Sequence, residues 1–436
     1  MKKRVPVIAA ASFALALLAP EGAHAEVRTG DLILGTSAIE RGIDASELPD
    51  ISAPHAIVVG PDGRVYYERN ASDPIKIAST TKVMTTLVAL EHCELSDIVT
   101  VDHAAATVGE SCVGLLEGDT LTMEEALTGL MVMSGNDAAT AIATTAGAKI
   151  DPSSDDPYGV FIDAMNAKAA ELGCTDTVFE NPHGLDFDAW VGDMHSTASD
   201  MAKIYNAAME NDEFRAINTT DRTSIEVTSA DGSARTIDLA VRNEIRGKSG
   251  NIGGKTGTTY EAGNCFIGTY VQDAGGEVTI AVFGCEDNEA RWADSLALSS
   301  WYYGHISTVP MANSPRERGG APVIAEAPCT SWTDRTADVT LSDPDATMHV
   351  FNLGEELEQK VSLDELSGAV EKGQKVGTIS YLQDGEVVSE ADLVAAENVP
   401  APSPLEWAMV QFDRLIRFFT GEPGVAETRV LNKCVI

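Results

Sequence analysis

Three short polar motifs interrupt the apolar segments of this chain: Ser79-Thr80-Thr81-Lys82, Ser134-Gly135-Asn136 and Lys255-Thr256-Gly257-Thr258. The first opens a run from Lys82 to Glu91 that has neither Gly nor Pro, which reads as a helix. The second separates two further helical runs, and the third lies just before a pair of β-branched, aromatic segments. A helix start, a tight inter-helix turn and a strand must therefore meet in one cleft if the motifs act together. Each motif alone is weak. Together they supply a nucleophile, a proton relay and a cationic anchor, a complete set for attacking an amide beside a carboxylate.

The chemistry fits the expected elements. Ser79 is placed at or near a helix N-terminus, where unpaired N–H groups favour developing negative charge. Residues at i and i+3 share a face, so Ser79 and Lys82 point the same way. An ordinary lysine, with a pKa of about 10.4, is a poor base. Burial, or a second cation such as Lys255, would lower that value. In the second motif Gly135 is expected to supply backbone freedom. Ser134 could pass a proton between Lys82 and a leaving amine, and Asn136 could hold a substrate amide through its donor and acceptor. The plainer readings are a capping Ser79, a solvated Lys82 and a simple helix cap at Ser134 and Asn136.

The third motif is expected on a strand beside a hairpin, whose arms Asn264–Val271 and Val278–Cys285 flank Asp273-Ala274-Gly275-Gly276. Gly257 would let a substrate backbone lie against the strand edge. Lys255 and Thr256 can meet a carboxylate, and the N–H groups of Thr258 and Ser79 form a natural oxyanion pair. Gly254-Lys255-Thr256 also ends a phosphate-loop pattern, but Ser249 stands where that loop needs glycine and strand follows where it needs helix.

The order of these motifs resembles the penicillin-binding proteins and serine β-lactamases. Asn181-Pro182-His183-Gly184-Leu185-Asp186, the stretch His195–Ala202, and a hairpin of Ala56–Val59 and Val65–Tyr67 around Pro61-Asp62-Gly63 are similar to the D-alanyl-D-alanine carboxypeptidases, the DacA-type low-molecular-mass penicillin-binding proteins of serine peptidase family S11. The likeness runs from about residue 50 to 400. It implies a mixed α/β (α+β) domain of the β-lactamase/transpeptidase type, with an antiparallel sheet flanked by helices plus a helical lobe, followed by a small all-β domain. It implies an acyl-enzyme on Ser79 and removal of the terminal D-alanine from peptidoglycan stem peptides ending in D-Ala-D-Ala. β-Lactams would be bound, with no cofactor. A penicillin-binding sensor or scaffold without turnover and a serine β-lactamase are the alternatives. The deacylating glutamate of one β-lactamase class has no counterpart beyond a superficial Glu180-Asn181. An arginine upstream of the third motif is expected to help hold the carboxylate, and Arg235 and Arg242 both remain candidates. His183 and His195 read as structural. The chain has no paired metal-ligand spacing, so no metal is expected.

The remaining expectations concern organisation. Residues 1–25, with Lys2-Lys3-Arg4, an apolar stretch and Ala23-His24-Ala25, read as a signal peptide. The catalytic domain is expected over 26–310, a linker over 311–330, a β domain over 331–400 and a tail over 401–436. Leu405, Ala408, Met409, Phe412, Leu415, Ile416 and Phe419 give that tail a helical apolar stripe between Pro404 and Gly421. By the same resemblance it would lie on the outer face of the cytoplasmic membrane. The protein would then be exported, and peripherally attached or held in the cell wall space. A net charge of −37 argues against nucleic acid, whose binding needs displaced counterions. With seven cysteines in an exported chain, a bridge between Cys265 and Cys285 is expected if the hairpin is centred near Gly275.

Overall fold

The computed structural model describes residues 30–434, so the expected signal peptide lies outside the described residues. Seven antiparallel strands form the main sheet, in the spatial order Thr36–Ser37, Asp31–Ile33, Val65–Arg69, His55–Val59, Gly276–Cys285, Gly263–Gln272 and Asn251–Thr259. The third motif thus lies on an edge strand, with Lys255 opposite Ile267 of the hairpin. Period-two alternation divides the hairpin between two cores. Ile267 and Ala281 face the helical lobe, whereas Phe266, Tyr270 and Val282 pack under Trp292, Leu298 and Tyr302 of the helix Asn288–Gly304. This is the mixed α+β arrangement expected from the sequence.

The helical lobe surrounds the helix Lys82–His92, which is buried at every residue from Lys82 to Leu90. A helix enclosed on all sides has no solvated stripe, which explains its unbroken apolar run. Around it pack Met123–Val132, Asn136–Ile150, Pro157–Glu171 and Ala198–Glu210. Across the main sheet, Arg69 meets Asp31 in a fully buried two-point pair of 2.6 and 2.9 Å, and also donates to Ile51 O. Removing either partner would strand a charge, at about 3–5 kcal/mol.

The expected bridge does not form: Cys265 and Cys285 are both free thiols. The register explains it. Phe266 pairs with Val282, but a bulge at the hairpin's open end places Cys285 opposite Asn264. Gly284 takes a left-handed φ of 75° there. A one-residue slip turns a side chain to the other face, so Cys265 joins the core under the helical lobe and Cys285 the core under Asn288–Gly304.

A second, all-β unit holds six strands in the order Glu358–Leu363, Lys375–Gln383, Glu386–Ala395, Thr336–Leu341, Ala325–Pro328 and Arg429–Val430. The linker expected over 311–330 is instead part of this unit. Ala325–Pro328 pairs with Thr336–Leu341, and Met311, Ile324 and Ala327 enter its core. Pro and Gly here mark short strands and turns, not a flexible spacer. The two units are joined by strand Ile306–Pro310 pairing with Thr347–Phe351, by Phe351 packing edge-on to Tyr66 at 5.0 Å, and by Arg41 bonding Asp384 at 2.7 Å.

The tail forms a helix, Pro404–Thr420, opened by a Ser403–Glu406 capping box and closed by left-handed Gly421. Val410 enters the β core and Arg414 donates to Thr330 O and Trp332 O. Its opposite face is bare, with Phe418 and Phe419 each 78% exposed.

Candidate active site

Ser79 sits in a 3-10 turn, Ala78–Thr81, that runs directly into the Lys82–His92 helix. Ala78 adopts a left-handed φ of 47°, a conformation costing about 1–3 kcal/mol for a residue with a side chain. Surrounding contacts hold it there. Thr80 Oγ1 donates to Ile77 O at 2.7 Å and Thr81 Oγ1 to Ala78 O at 2.8 Å. Gly184 of the Asn181–Asp186 segment backs onto the turn so closely that a Cβ there would lie 1.9 Å from Ala78 O.

Lys82 is fully buried, and its Nζ has three neighbours: Ser79 Oγ at 2.8 Å, Asn136 Oδ1 at 2.7 Å and His183 O at 2.9 Å. Two of these oxygens can only accept. A neutral amine that donates to both turns its lone pair to the third, the Ser79 hydroxyl, which can donate. Burial supplies the neutral form by pushing Lys82 down to about 7.

Asn136 uses both ends of its amide within the protein, since Nδ2 donates to Gly109 O at 3.0 Å. Its Oδ1 is engaged by Lys82, so both ends are taken within the protein. Ser134, not Gly135, takes the left-handed backbone, with φ 67°. Gly135 serves for space, because a Cβ would lie 2.9 Å from Val113 Cγ1. Ser134 Oγ accepts from Lys255 Nζ at 2.8 Å. No hydrogen bond joins Ser134 to Lys82 among the described residues. The neighbouring Asp137 escaped the sequence reading. Its buried carboxylate accepts from the N–H groups of Val113, Gly114 and Leu115 at 2.9–3.0 Å and so shapes the loop carrying Ser111.

On the edge strand, Lys255 is buried, and its ammonium is pushed well below the lysine range by burial first, then by Lys82, Arg291 and Arg242. Gly257 lacks a side chain for a reason other than the one expected. A Cβ there would lie 2.8 Å from Ile77 O and 3.0 Å from Ser79 N, so the space belongs to the protein's own Ala78–Thr81 turn. That close approach sets Thr258 beside Ser79.

These residues border a cleft of about 840 Å³ lined by Ser79, Ser111, Ser134, Arg242, Thr256, Gly257, Thr258 and Arg291, among others. Lys82, Asn136 and Lys255 stand behind its wall. Of the two arginines left open, Arg242 reaches the cleft, while Arg235, on a strand Ala234–Asp238 that pairs with Ser224–Thr228, is bonded to Asp119. Arg291 was missed because nothing in its helical sequence marks it. It donates to Gly257 O at 3.2 Å and Cys265 O at 3.3 Å, and burial lowers its pKa.

An antiparallel sheet against a helical lobe, with a buried lysine bonded to a serine at a helix start and a second buried lysine on the edge strand, defines a serine DD-peptidase of the penicillin-binding class. The D-alanyl-D-alanine carboxypeptidase family matches residues 43–287, and the C-terminal domain of penicillin-binding protein 5 matches residues 336–401. The chain belongs to the D-alanyl-D-alanine carboxypeptidase family and is a serine-type carboxypeptidase. It is 27% identical to the D-alanyl-D-alanine carboxypeptidase DacF of Bacillus subtilis over 372 residues, 83% of this chain and 89% of that one. It is 34% identical to DacB2 of Mycobacterium tuberculosis over 259 residues, 58% and 83% of the two chains. The crystal structure of the Streptomyces K15 DD-transpeptidase aligns at 30% identity with a TM-score of 0.54, covering 58% of this chain and 97% of that one.

Proposed function

We propose that the enzyme removes the terminal D-alanine from peptidoglycan stem peptides ending in D-Ala-D-Ala, with Ser79 as nucleophile. The observation that carries this is the Lys82 cage: Nζ lies 2.8 Å from Ser79 Oγ, and its two other neighbours, Asn136 Oδ1 and His183 O, are oxygens that only accept. Neutral Lys82 takes the hydroxyl proton as Ser79 Oγ bonds to the carbonyl carbon between the two D-alanines. The N–H groups of Ser79 and Thr258 hold the oxyanion. The carbon–nitrogen bond then breaks as Ser134 gives its proton to the departing nitrogen and takes up the one that Lys82 received from Ser79, which leaves Lys82 neutral again. Ser134 Oγ accepts from Lys255, which leaves its own proton to point into the cleft. Lys255 and Thr256, with Arg242 at the cleft wall, hold the terminal carboxylate. A chain continuing past that carboxylate would leave buried Lys255 unpaired, a loss a site cannot recover. Water activated by Lys82 then releases the acyl group. β-Lactams carry the same carboxylate beside a reactive amide and acylate Ser79. Incubation with a D-Ala-D-Ala peptide should release D-alanine, and Ser79→Ala should abolish both that release and a penicillin adduct of the expected mass. An adduct on the Ser79→Ala protein would refute the assignment.

The protein is further proposed to be exported and to rest on the membrane through Pro404–Thr420. Supporting this, the apolar face of that helix is bare while its other face is tied to the β unit. Among the described residues no helix is long and apolar enough to cross a membrane.

A further inference from the structure

The Asn181–Asp186 segment backs the Ser79 turn, and one of its side chains is short of a partner. His183 O lies 2.9 Å from Lys82 Nζ and 3.2 Å from Ser79 Oγ, so this carbonyl helps to direct both groups. The imidazole of the same residue is fully buried. Its Nδ1 accepts from Leu185 N–H at 3.2 Å, which places the ring proton on Nε2. That Nε2–H has no hydrogen-bond partner among the described residues. A buried donor without an acceptor is costly. A second proton does not relieve it, because burial and then Lys82 hold the His183 pKa well below the ordinary histidine range.

The neighbour this ring does have is Trp190. The two ring centroids are 4.5 Å apart and the planes meet at 81°, an edge-to-face pair. An imidazole edge set against an indole face gives its N–H a negative surface to point at. Trp190 ends a short 3-10 turn, Asp188–Trp190, whose first residue takes a left-handed φ of 51°. Its chain neighbours Ala189 and Val191 are exposed, so the turn has no core of its own. Beyond it the loop is tied down. Lys76 Nζ donates to Gly192 O at 3.0 Å and to Met194 O at 2.7 Å, and Met194 N–H donates to Glu180 at 3.1 Å. Lys76 stands three residues before Ser79. Residues 187–194 therefore close over the back of the Ser79 turn, and Trp190 is the side chain they place on His183.

We propose that Trp190 is a positioning residue for acylation: its ring caps the His183 N–H and so fixes the carbonyl on which Lys82 and Ser79 lie. The proposal rests on the Ser79 mechanism above and adds no chemical step to it. The coupling is short. The Leu185 bond closes the His183 ring and the main chain of 183–185 into one turn. Gly184, in the middle of that turn, has no room to shift, since a Cβ there would lie 1.9 Å from Ala78 O. A ring that swings away to find another acceptor moves His183 O with it. The carboxylate anchor on the edge strand is not part of this chain of contacts, so substrate binding stays as it was.

Trp190→Phe keeps an aromatic face, whereas Trp190→Leu keeps apolar bulk without one. D-Alanine release from a D-Ala-D-Ala peptide is measured for both, beside Tm and the nuclear magnetic resonance signal of the His183 ring N–H in protein with isotope-labelled histidine. The signal is assigned by its loss in His183→Asn. In the wild type this proton should resonate upfield of ordinary imidazole N–H protons, shielded by the indole, and should exchange slowly. Trp190→Phe should keep the signal and stay within about threefold in kcat, while Trp190→Leu should lose the signal and about tenfold or more in kcat, with KM within about twofold. The spectrum needs no turnover, so failure of the Ser79 mechanism, seen as a wild type that forms no penicillin adduct, is separable from failure of this proposal. Two results overturn it: a wild-type spectrum without the shielded proton, or the same change in kcat for Trp190→Leu as for Trp190→Phe.

Discussion

Lys255 Nζ donates to Ser134 Oγ across 2.8 Å, which ties the edge strand of the sheet to the turn between two helices of the lobe. One hydrogen bond thus spans the cleft and couples the proposed carboxylate anchor to the serine proposed to serve the leaving group. Lys255→Ala should weaken D-alanine release and penicillin acylation by about 2–5 kcal/mol, roughly thirtyfold to several thousandfold, since it leaves the substrate carboxylate without its buried partner. Ser134→Ala should also slow both. Because the two groups touch, the double variant should fall short of the summed losses by about 0.5–3 kcal/mol. Acylation kinetics of the four proteins give the coupling, and strictly additive losses would contradict a shared role.

Lys82, lowered to about 7 by burial, sets the pH profile. The base must be neutral to accept the Ser79 proton, so penicillin acylation should rise about tenfold per pH unit below 7 and level off above it. Lys82→Arg, which never loses its proton at these pH values, should be inactive throughout. The same shift acts on stability. The folded pKa lies below the unfolded value, so the cost of burying Lys82 is fully present below about pH 7 and declines as pH rises from there toward about 10.5. Lys82→Met should therefore raise Tm more at pH 6 than at pH 9.

The three motifs were legible because their chemistry is local in sequence: a serine and lysine one helical turn apart, a helix-separating turn, and a strand before an evident hairpin. What escaped was everything set by packing between distant segments. Arg291 reaches the cleft from a helix thirty-odd residues past the edge strand, and an arginine on an amphipathic helix carries no local mark. Asp137 looks like an ordinary first-turn acid until the loop 113–115 folds over it. The Cys265–Cys285 pairing failed because the hairpin turns one residue before Gly275, with Gln272 opposite Gly276, and because a bulge then shifts the strand ends. The 311–330 stretch had the composition of a linker because its strands are short and broken by proline and glycine.

Gly257 tests whether strand and nucleophile turn must touch. A Cβ at this position meets backbone, Ile77 O at 2.8 Å and Ser79 N at 3.0 Å, so Gly257→Ala must push the edge strand away from Ser79. The fold should survive, since the strand keeps its ladder to Gly263–Gln272. Activity should fall about a hundredfold, the usual consequence of displacing reacting groups by an ångström. An unchanged acylation rate with an unchanged Tm would show that the contact is not needed.

Asp137 links the fold to the chemistry, since its charge also raises the Lys82 pKa against the effect of burial. It touches none of the groups assigned to the reaction, yet four backbone N–H groups, those of Val113, Gly114, Leu115 and Ala138, converge on its carboxylate. Asp137→Asn keeps the volume and removes the charge and one acceptor, which leaves buried donors facing an amide. A loss of about 2–4 kcal/mol in unfolding free energy is expected by denaturant titration. Penicillin acylation should slow as well, because the loop carrying Ser111 loses its anchor.

The tail helix can be tested only by substitution. Residues beyond it belong to the β unit: Arg429–Val430 pairs with Ala325–Glu326, and Asn432 bonds Gln359 and the Tyr381 hydroxyl. Deleting 404–436 would damage that unit and confuse detachment with unfolding. Phe412, Phe418 and Phe419 are 66%, 78% and 78% exposed, so replacing all three with Ser should leave Tm and D-alanine release unchanged. Each phenylalanine buried in lipid contributes about 1.5–3 kcal/mol. The triple variant should therefore lose at least about a hundredfold in vesicle affinity. Glu406 and Asp413 balance Arg414 and Arg417 on this helix. Attachment should thus depend little on anionic lipid or on salt. Vesicle flotation with neutral and anionic lipids checks both points. Undiminished flotation of the triple variant would move the membrane contact elsewhere on the protein.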